Sequence, residues 1–350
     1  MDNKEIAKYV RDRIFKSYST KQCFREHLGA SQIGMSCKRA IWYQFRWCEV
    51  EQIDDVVDYG RIKRLLDHGN NEESRIINDL KRIGLLVHSH DPQTNKQWVF
   101  SALGGHYGCS LDGVVTGLPD GRWYLLECKT SNDKGFKGLV KHGVQADKPQ
   151  HYEQMQACMA LAELPAALYV AVNKNNDDIY TEIIDANVND GDRLLNKAKQ
   201  IVFAPEPLAK MSNDASYFEC KLCRYRNVCH LDIVPGVNCR TCLHSTPTDQ
   251  GWHCEKHNAT NLSKDDQMEG CAAHLFIPAL ITFDKPVDAT DDGVIYSNFK
   301  NGKDGLDSHT LSKIGKAYNQ EMQNIMDVFG AKVVEVKHYE DTKMVSAGSD

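Results

Sequence analysis

An aspartate at 112 and the triplet Glu127-Cys128-Lys129 supply two carboxylates and an ammonium, the groups that metal-dependent phosphodiester cleavage needs. Side chains alternate along a β-strand, so Trp123, Leu125, Glu127 and Lys129 share one face while Tyr124, Leu126 and Cys128 share the other. A glutamate and a lysine therefore project together from the end of an apolar strand. Asp112, at the end of the preceding strand, comes alongside through a hairpin. Asp112, Glu127 and the backbone carbonyl of Cys128 can hold Mg²⁺ or Mn²⁺ while the ion keeps several waters and accepts a phosphate oxygen. Lys129 is placed to orient the attacking water or to offset charge in the transition state. A bare E-x-K is common, and a solvated pair on a strand is the plain alternative. The apolar run before Glu127, the acidic residue before it, and Gln154 and Gln156 on the next helix favour chemistry.

Soft ligands form two further sets. Cys220-x-x-Cys223-x5-Cys229 gathers three thiolates in one short segment and leaves a fourth position open, for which Cys37 is the candidate. Cys239-x-x-Cys242, Cys254 and Cys271 make a second four-thiolate set, naturally read as a zinc ribbon or knuckle, with His244, His257 and His274 as alternative ligands. Thirteen cysteines, in C-x-x-C pairs and without a secretory signal, point to metal ligation rather than disulfides. Thiolates suit both zinc and iron–sulfur clusters, and spacing alone does not choose between them. Cys23, Cys48, Cys109 and Cys158 read as buried thiols, and the Cys128 side chain should point away from the carboxylates.

The elements that must carry these groups alternate between helix and strand. Apolar residues at helical spacing predict an amphipathic helix over 61–85, stopping near Gly84. Strands are expected at 98–100, 109–115 and 123–130, the last two joined by the turn Leu118-Pro119-Asp120-Gly121. A helix over 150–163, strands at 167–172 and 179–184, and a helix over 192–203 follow. This order predicts an α/β fold, a central mixed sheet flanked by helices, with a cysteine-rich metal-binding C-terminal region. Four units are expected: a core over 1–215, a cysteine loop over 216–235 closing onto Cys37, a zinc-binding module over 236–280, and a small region over 281–350 with one helix at 308–329.

The chain has 350 residues and a net charge of −6, so no overall basic character marks a nucleic-acid partner, and a local groove would have to do so. No apolar run is long enough to span a membrane, and Met1-Asp2-Asn3-Lys4-Glu5 lacks the start of a secretory signal. No phosphate-binding loop, dinucleotide fingerprint or Ser/His/Asp triad is present, which excludes a helicase motor in this chain.

Taken together, Ser110-Leu111-Asp112-Gly113, Leu126-Glu127-Cys128-Lys129-Thr130 and His151-Tyr152-Glu153-Gln154-Met155-Gln156 resemble the PD-(D/E)xK nuclease superfamily, in its RecB-like and lambda-exonuclease-like branch. The resemblance covers the first two thirds of the chain and implies a restriction-endonuclease-like core. It implies a metal-dependent DNA exonuclease in which Asp112 and Glu127 hold the ion, Lys129 assists and Gln154 completes the site. It also implies an acidic residue from an upstream helix. Glu73 is chosen because it shares a face with Ile77 and Leu80; Glu72 is the alternative, and His68 a further candidate ligand. The cysteine pattern is similar to CRISPR-associated RecB-like nucleases and AddAB-type nuclease domains. That implies a 4Fe–4S cluster on Cys37, Cys220, Cys223 and Cys229, with Arg39, Arg224 and Arg226 beside it as phosphate contacts. The second cluster resembles extensions of bacteriophage nucleases, which implies a single-strand annealing protein as partner and the cytoplasm of a bacterium or infected host as location. A structure-selective endonuclease and a catalytically idle DNA-binding scaffold are the competing functions.

Overall fold

The computed structural model describes residues 2–18, 24–49, 56–231 and 233–282, with four short strands beyond them. In chain order the elements are α1 (Asn3–Ser17), β1 (Leu28–Gly29), α2 (Ala30–Ile33), α3 (Lys38–Phe45), α4 (Val56–Arg82), β2 (Leu86–His88), β3 (Val99–Ala102), β4 (Tyr107–Ser110), β5 (Gly113–Thr116) and β6 (Tyr124–Ser131). There follow α5 (Asp133–Asp147), α6 (Pro149–Ala162), β7 (Ala166–Asn173), β8 (Ile179–Asp185), α7 (Val188–Val202), α8 (Phe218–Lys221), α9 (Arg226–His230), β9 (Ser245–Thr248), β10 (Gly251–Cys254) and α10 (Lys264–Glu269). The expected helix over 308–329 lies outside the described residues. No helix among the described residues is long and apolar enough to cross a membrane.

The central sheet runs β2-β5-β6-β7-β8, parallel only between β6 and β7, and antiparallel elsewhere. The fold is therefore α/β with a mixed sheet flanked by helices. Alternation along the strands sorts residues to two layers. Tyr124, Leu126 and Cys128 of β6 join Leu168 and Val170 of β7 on the face covered by Ile76, Ile77 and Leu80 of α4. Leu125, Ala167 and Tyr169 turn the other way, against Met155 and Met159 of α6 and Leu194 and Ile201 of α7. β7 is buried along its whole length, as a strand covered on both faces must be.

The expected strand over 109–115 is two strands. β4 belongs to a separate three-stranded sheet, β1-β4-β3, and β5 to the central sheet. Leu111 and Asp112 form the break, so Asp112 leads into β5 rather than ending a strand beside β6. An apolar run of mixed Cys, Ser, Leu and Val does not mark where a chain changes sheets. The turn between β5 and β6 does form the antiparallel pair, with Gly113 opposite Leu126. α5 has no counterpart among the helices expected from the apolar pattern. Three glycines dilute its periodicity, and it exists because Asn132 caps it, accepting from the Gly135 amide at 2.8 Å.

Two local features aim the helices that carry functional groups. α4 ends at Arg82 and the chain turns at Gly84, where φ is 90°, a conformation that costs glycine little. α6 opens with Pro149 at its first position, as Pro's fixed φ allows. There it presses so close to Gly34 that a Cβ on Gly34 would meet the Gln150 Cα at 2.8 Å.

Candidate active site and cysteine clusters

β6 delivers Glu127 and Lys129, and the start of β5 delivers Asp112. Asp112 Oδ2 accepts from the Cys128 backbone N–H at 2.8 Å, which fixes the aspartate against the strand that carries the other two groups. The Lys129 ammonium ion-pairs with Glu127 Oε1. Gln154, reaching down from α6, donates its amide to the same Glu127 oxygen at 2.8 Å. Glu127 is 3% exposed, a carboxylate that only such partners make tolerable. The Cys128 thiol turns into the α4 layer, as alternation requires.

α4 supplies the third acid. Burial, then repulsion from Asp112 and Glu127 against the pull of Lys129, pushes the Glu73 carboxyl up to about 7. Glu73 therefore lies within electrostatic reach of Asp112, Glu127 and Lys129. Glu72 instead pairs with Arg75 at 3.3 Å, and His68 is exposed on the helix surface. Burial raises Asp112 and Glu127 as well, with Lys129 opposing in both cases. Burial pulls Lys129 down, but Glu127 and Asp112 more than offset it and the ammonium is held. When all three are ionised, three carboxylates around one ammonium leave two negative charges uncompensated in a largely buried place. Hard oxygen donors with that excess suit a divalent cation such as Mg²⁺ or Mn²⁺, which takes oxygen ligands and keeps water.

One site residue has no role assigned from sequence. His151 sits one turn before Gln154 on α6, its Nδ1 2.9 Å from the Tyr169 hydroxyl, and Tyr169 pairs in register with Glu127. Burial, then the nearby charges of Lys129 and Lys148, pushes the imidazole down to about 4, so it is neutral. The spacing of His151 and Gln154 on one helical face is the signal that marks it.

Cys37, Cys220, Cys223 and Cys229 all line one cavity of about 490 Å³ between α2, α3, α6 and the segment from α8 to α9. Burial first, then the charges of the other three, raises Cys223. Four soft donors about one cavity fit a group that takes thiolates. Of the arginines expected beside it, Arg39 is spent internally, donating to the Leu208 carbonyl and the Tyr43 hydroxyl, each at 2.8 Å. Arg224 pairs with Glu49 at 2.6 Å.

The thiols of the second set lie within electrostatic reach of one another. Burial, then Cys242, Cys271 and Cys254, pushes Cys239 up to about 12. Cys271 Sγ lies 3.5 Å from His257 Nε2. His274 is taken up elsewhere, its Nε2 3.2 Å from the Thr241 hydroxyl and its ring edge-on to Phe276. Among the described residues, no three His, Cys, Asp or Glu side chains are drawn in tightly enough to make a closed metal site. The thiols and carboxylates are gathered, and ligand-length convergence is not formed.

No family model matches the chain, and no curated protein does. Among solved structures, the crystal structure of SSO0001 is 14% identical with a TM-score of 0.39, covering 64% of this chain and 96% of that one. An alkaline exonuclease from Laribacter hongkongensis is 16% identical with a TM-score of 0.34, over 50% of this chain and 86% of that one. The same exonuclease in complex with dAMP gives 15%, a TM-score of 0.33, and coverage of 54% and 89%. Likenesses this distant carry no argument about chemistry, which rests on the site itself.

Proposed function

We propose that this protein is a divalent-metal-dependent deoxyribonuclease, an exonuclease hydrolysing DNA backbone phosphodiesters in recombination or end processing. The observation that carries the reading is the meeting of Asp112, Glu127 and Lys129 at the β5–β6 pair, with Glu73 brought in from α4 and Gln154 from α6.

Glu73, Asp112 and Glu127 would hold Mg²⁺ or Mn²⁺, together with the Cys128 carbonyl. When bound, the ion supplies positive charge against the charge that grows on the phosphoryl oxygens and makes water more acidic. Lys129 holds a proton at Nζ beside the position where that charge develops, a preorganised donor in a place largely closed to bulk water. Gln154 keeps Glu127 Oε1 aimed, and as a neutral amide it does so without competing for the cation. Neutral His151 leaves the charge balance untouched, and with Nδ1 on the Tyr169 hydroxyl its Nε2 can carry the proton and donate to a phosphate oxygen. A 4Fe–4S cluster on Cys37, Cys220, Cys223 and Cys229 and a zinc ion on Cys239, Cys242, Cys254 and Cys271 complete the proposed cofactors. Both act as architecture. A single-strand annealing protein is the proposed partner.

End-labelled linear DNA incubated with Mg²⁺ or Mn²⁺ tests the reading. Wild-type protein should degrade it, and Lys129→Ala and Asp112→Asn should each lower the rate by roughly 10²–10³-fold, the usual cost of one electrostatic contact at a transition state. Covalently closed circles should survive. Equal degradation by wild type and Lys129→Ala would remove the site from consideration.

A further inference from the structure

The facing surfaces of β6 and α6 continue beyond the groups already assigned. Side chains alternate along the strand, so Glu127, Lys129 and Ser131 share one face and repeat every ~6.6 Å along it. α6 runs past them in the opposite direction. Gln154 meets Glu127 at 2.8 Å. One turn earlier, His151 reaches the hydroxyl of Tyr169, the register partner of Glu127, and lies within electrostatic reach of both Lys129 and Lys148. At the start of the helix, Lys148 comes beside Ser131. A Cβ on Gly135 would lie 2.7 Å from Ser131 Oγ and 3.7 Å from Lys148 Nζ, so both atoms border one point.

Two glycines of α5 make this arrangement possible. Gly135 leaves room for the Ser131 hydroxyl and the Lys148 ammonium, and a Cβ on Gly138 would collide with the Asp147 carboxylate. Asp147 and Lys148 lie against α5 as an ion pair. An ammonium has three donors, so Lys148 can keep Asp147 and still donate to a phosphate oxygen. Asp133, the other acid at this end, is taken up by Lys137 at 2.7 Å and by Asn173 Nδ2 at 3.3 Å. The Ser131 hydroxyl donates to the Asn132 carbonyl at 3.2 Å and can turn to a stronger acceptor. Exposure rises along the row: the Glu127 side chain is 4% exposed, Lys129 27% and Lys148 28%. The row is therefore open to a ligand at the Lys148 end.

We infer that Lys148 Nζ and Ser131 Oγ form a phosphate subsite, which holds the phosphodiester flanking the scissile one while His151 stands between the two. This rests on the nuclease reading and deepens it, because the unit recognised becomes a nucleoside with a phosphate on each side rather than a lone diester. Charge-assisted contacts from an ammonium and a hydroxyl are the chemistry that such an oxygen-rich anion takes.

Isothermal titration of the full-length protein in Ca²⁺ with thymidine 3′,5′-bisphosphate tests the inference, beside the 3′- and 5′-monophosphates. The bisphosphate should bind roughly 10-fold tighter than either monophosphate, the worth of one hydrogen bond to a charged group. Lys148→Gln should bring the three affinities within about twofold, with the monophosphates bound as by wild type, and Lys148→Arg should keep most of the gap. Ser131→Ala, a small change on an outer turn of the site, should narrow the gap by about threefold. Equal affinities in wild type overturn the subsite, as does binding of none of the three. A gap that survives Lys148→Gln, or a uniform loss for all three ligands in that variant, overturns it too, the latter marking a merely structural lysine. The labelled-DNA assay decides the nuclease reading separately. Protein that degrades DNA but shows no gap loses only the subsite, and protein that degrades none loses the nuclease reading whatever its affinities.

Discussion

Glu127 is held by an ammonium and an amide on one oxygen, and that arrangement makes the roles of its neighbours separable. Gln154→Leu removes the aiming contact while leaving every charge in place. It should lower kcat by roughly 10- to 100-fold, no more than loss of Lys129, because one hydrogen bond to a charged group contributes about 1.5–3 kcal/mol. Single-turnover degradation of labelled DNA separates the two. Glu73 makes a prediction about pH. Its carboxyl is raised from 4.5 to about 7 by burial and then by Asp112, so the folded protein binds its proton more tightly than the unfolded chain. The stabilisation this gives is fully present below the unfolded value and is lost as pH rises through about 7. In EDTA, Tm should therefore fall as pH rises from about 5 to about 7.5, and Glu73→Gln should flatten that slope. Mn²⁺ should raise Tm more at the upper pH, where the carboxylates are ionised and repel one another. A Tm that rises over this range in EDTA, in both proteins alike, would argue against this assignment.

At the scale of elements, α4 does two jobs with one periodicity. Ile76, Ile77 and Leu80 pack against β6 and β7, and the same face carries Glu73 to the carboxylates. Ile76 is 3% exposed, so Ile76→Ala should cost about 2–5 kcal/mol in urea unfolding, the range for deleting a buried branched side chain. It should also weaken activation by Mn²⁺, because a loosened α4 no longer holds Glu73 in place. A stability loss with unchanged Mn²⁺ dependence would separate the packing role from the positioning one. α6 is likewise both layer and tool, burying Met155 and Met159 against the sheet face from which Glu127 meets Gln154.

At the scale of the molecule, the C-terminal cysteine region is stitched to the N-terminal helices by buried arginines. Arg240 is 1% exposed and donates to the Phe45 carbonyl at 2.9 Å and the Glu26 carbonyl at 2.8 Å. Its guanidinium lies 3.7 Å from the centre of the Trp47 ring. Burial pulls its pKa down to about 9, still far enough up to keep the charge at neutral pH. Arg46 bridges similarly to the Ser245 and Ala204 carbonyls. Arg240→Met should therefore destabilise the whole protein by about 2–4 kcal/mol, through carbonyls left without donors, and melting should stay a single transition. The cavity lined by Cys37, Cys220, Cys223 and Cys229 is testable by colour. Protein purified without oxygen should be brown, with absorbance near ~400 nm, and Cys229→Ser should bleach it and lower Tm. Colourless wild-type protein carrying only zinc would replace the cluster with zinc and leave the nuclease site untouched.

The sequence by itself determined the local facts: the alternation that puts Glu127 and Lys129 on one face, the turn that pairs β5 with β6, the amphipathic α4, and which cysteines stand close in the chain. These are periodicities of two and 3.6 residues, legible because backbone geometry imposes them on any segment. Only the tertiary structure decided how remote segments meet. It broke the run around Asp112 between two sheets, since the apolar pattern is blind to which sheet a strand joins. The helical face already prefers Glu73; the structure adds that Glu72 pairs with Arg75 and that Glu73 lies within electrostatic reach of Asp112 and Glu127. It brought Cys37 to the cavity shared by Cys220, Cys223 and Cys229, and it placed His151 beside Tyr169. Each of those outcomes depends on packing between elements distant in the chain, where burial and charge are settled jointly and no single segment carries the information.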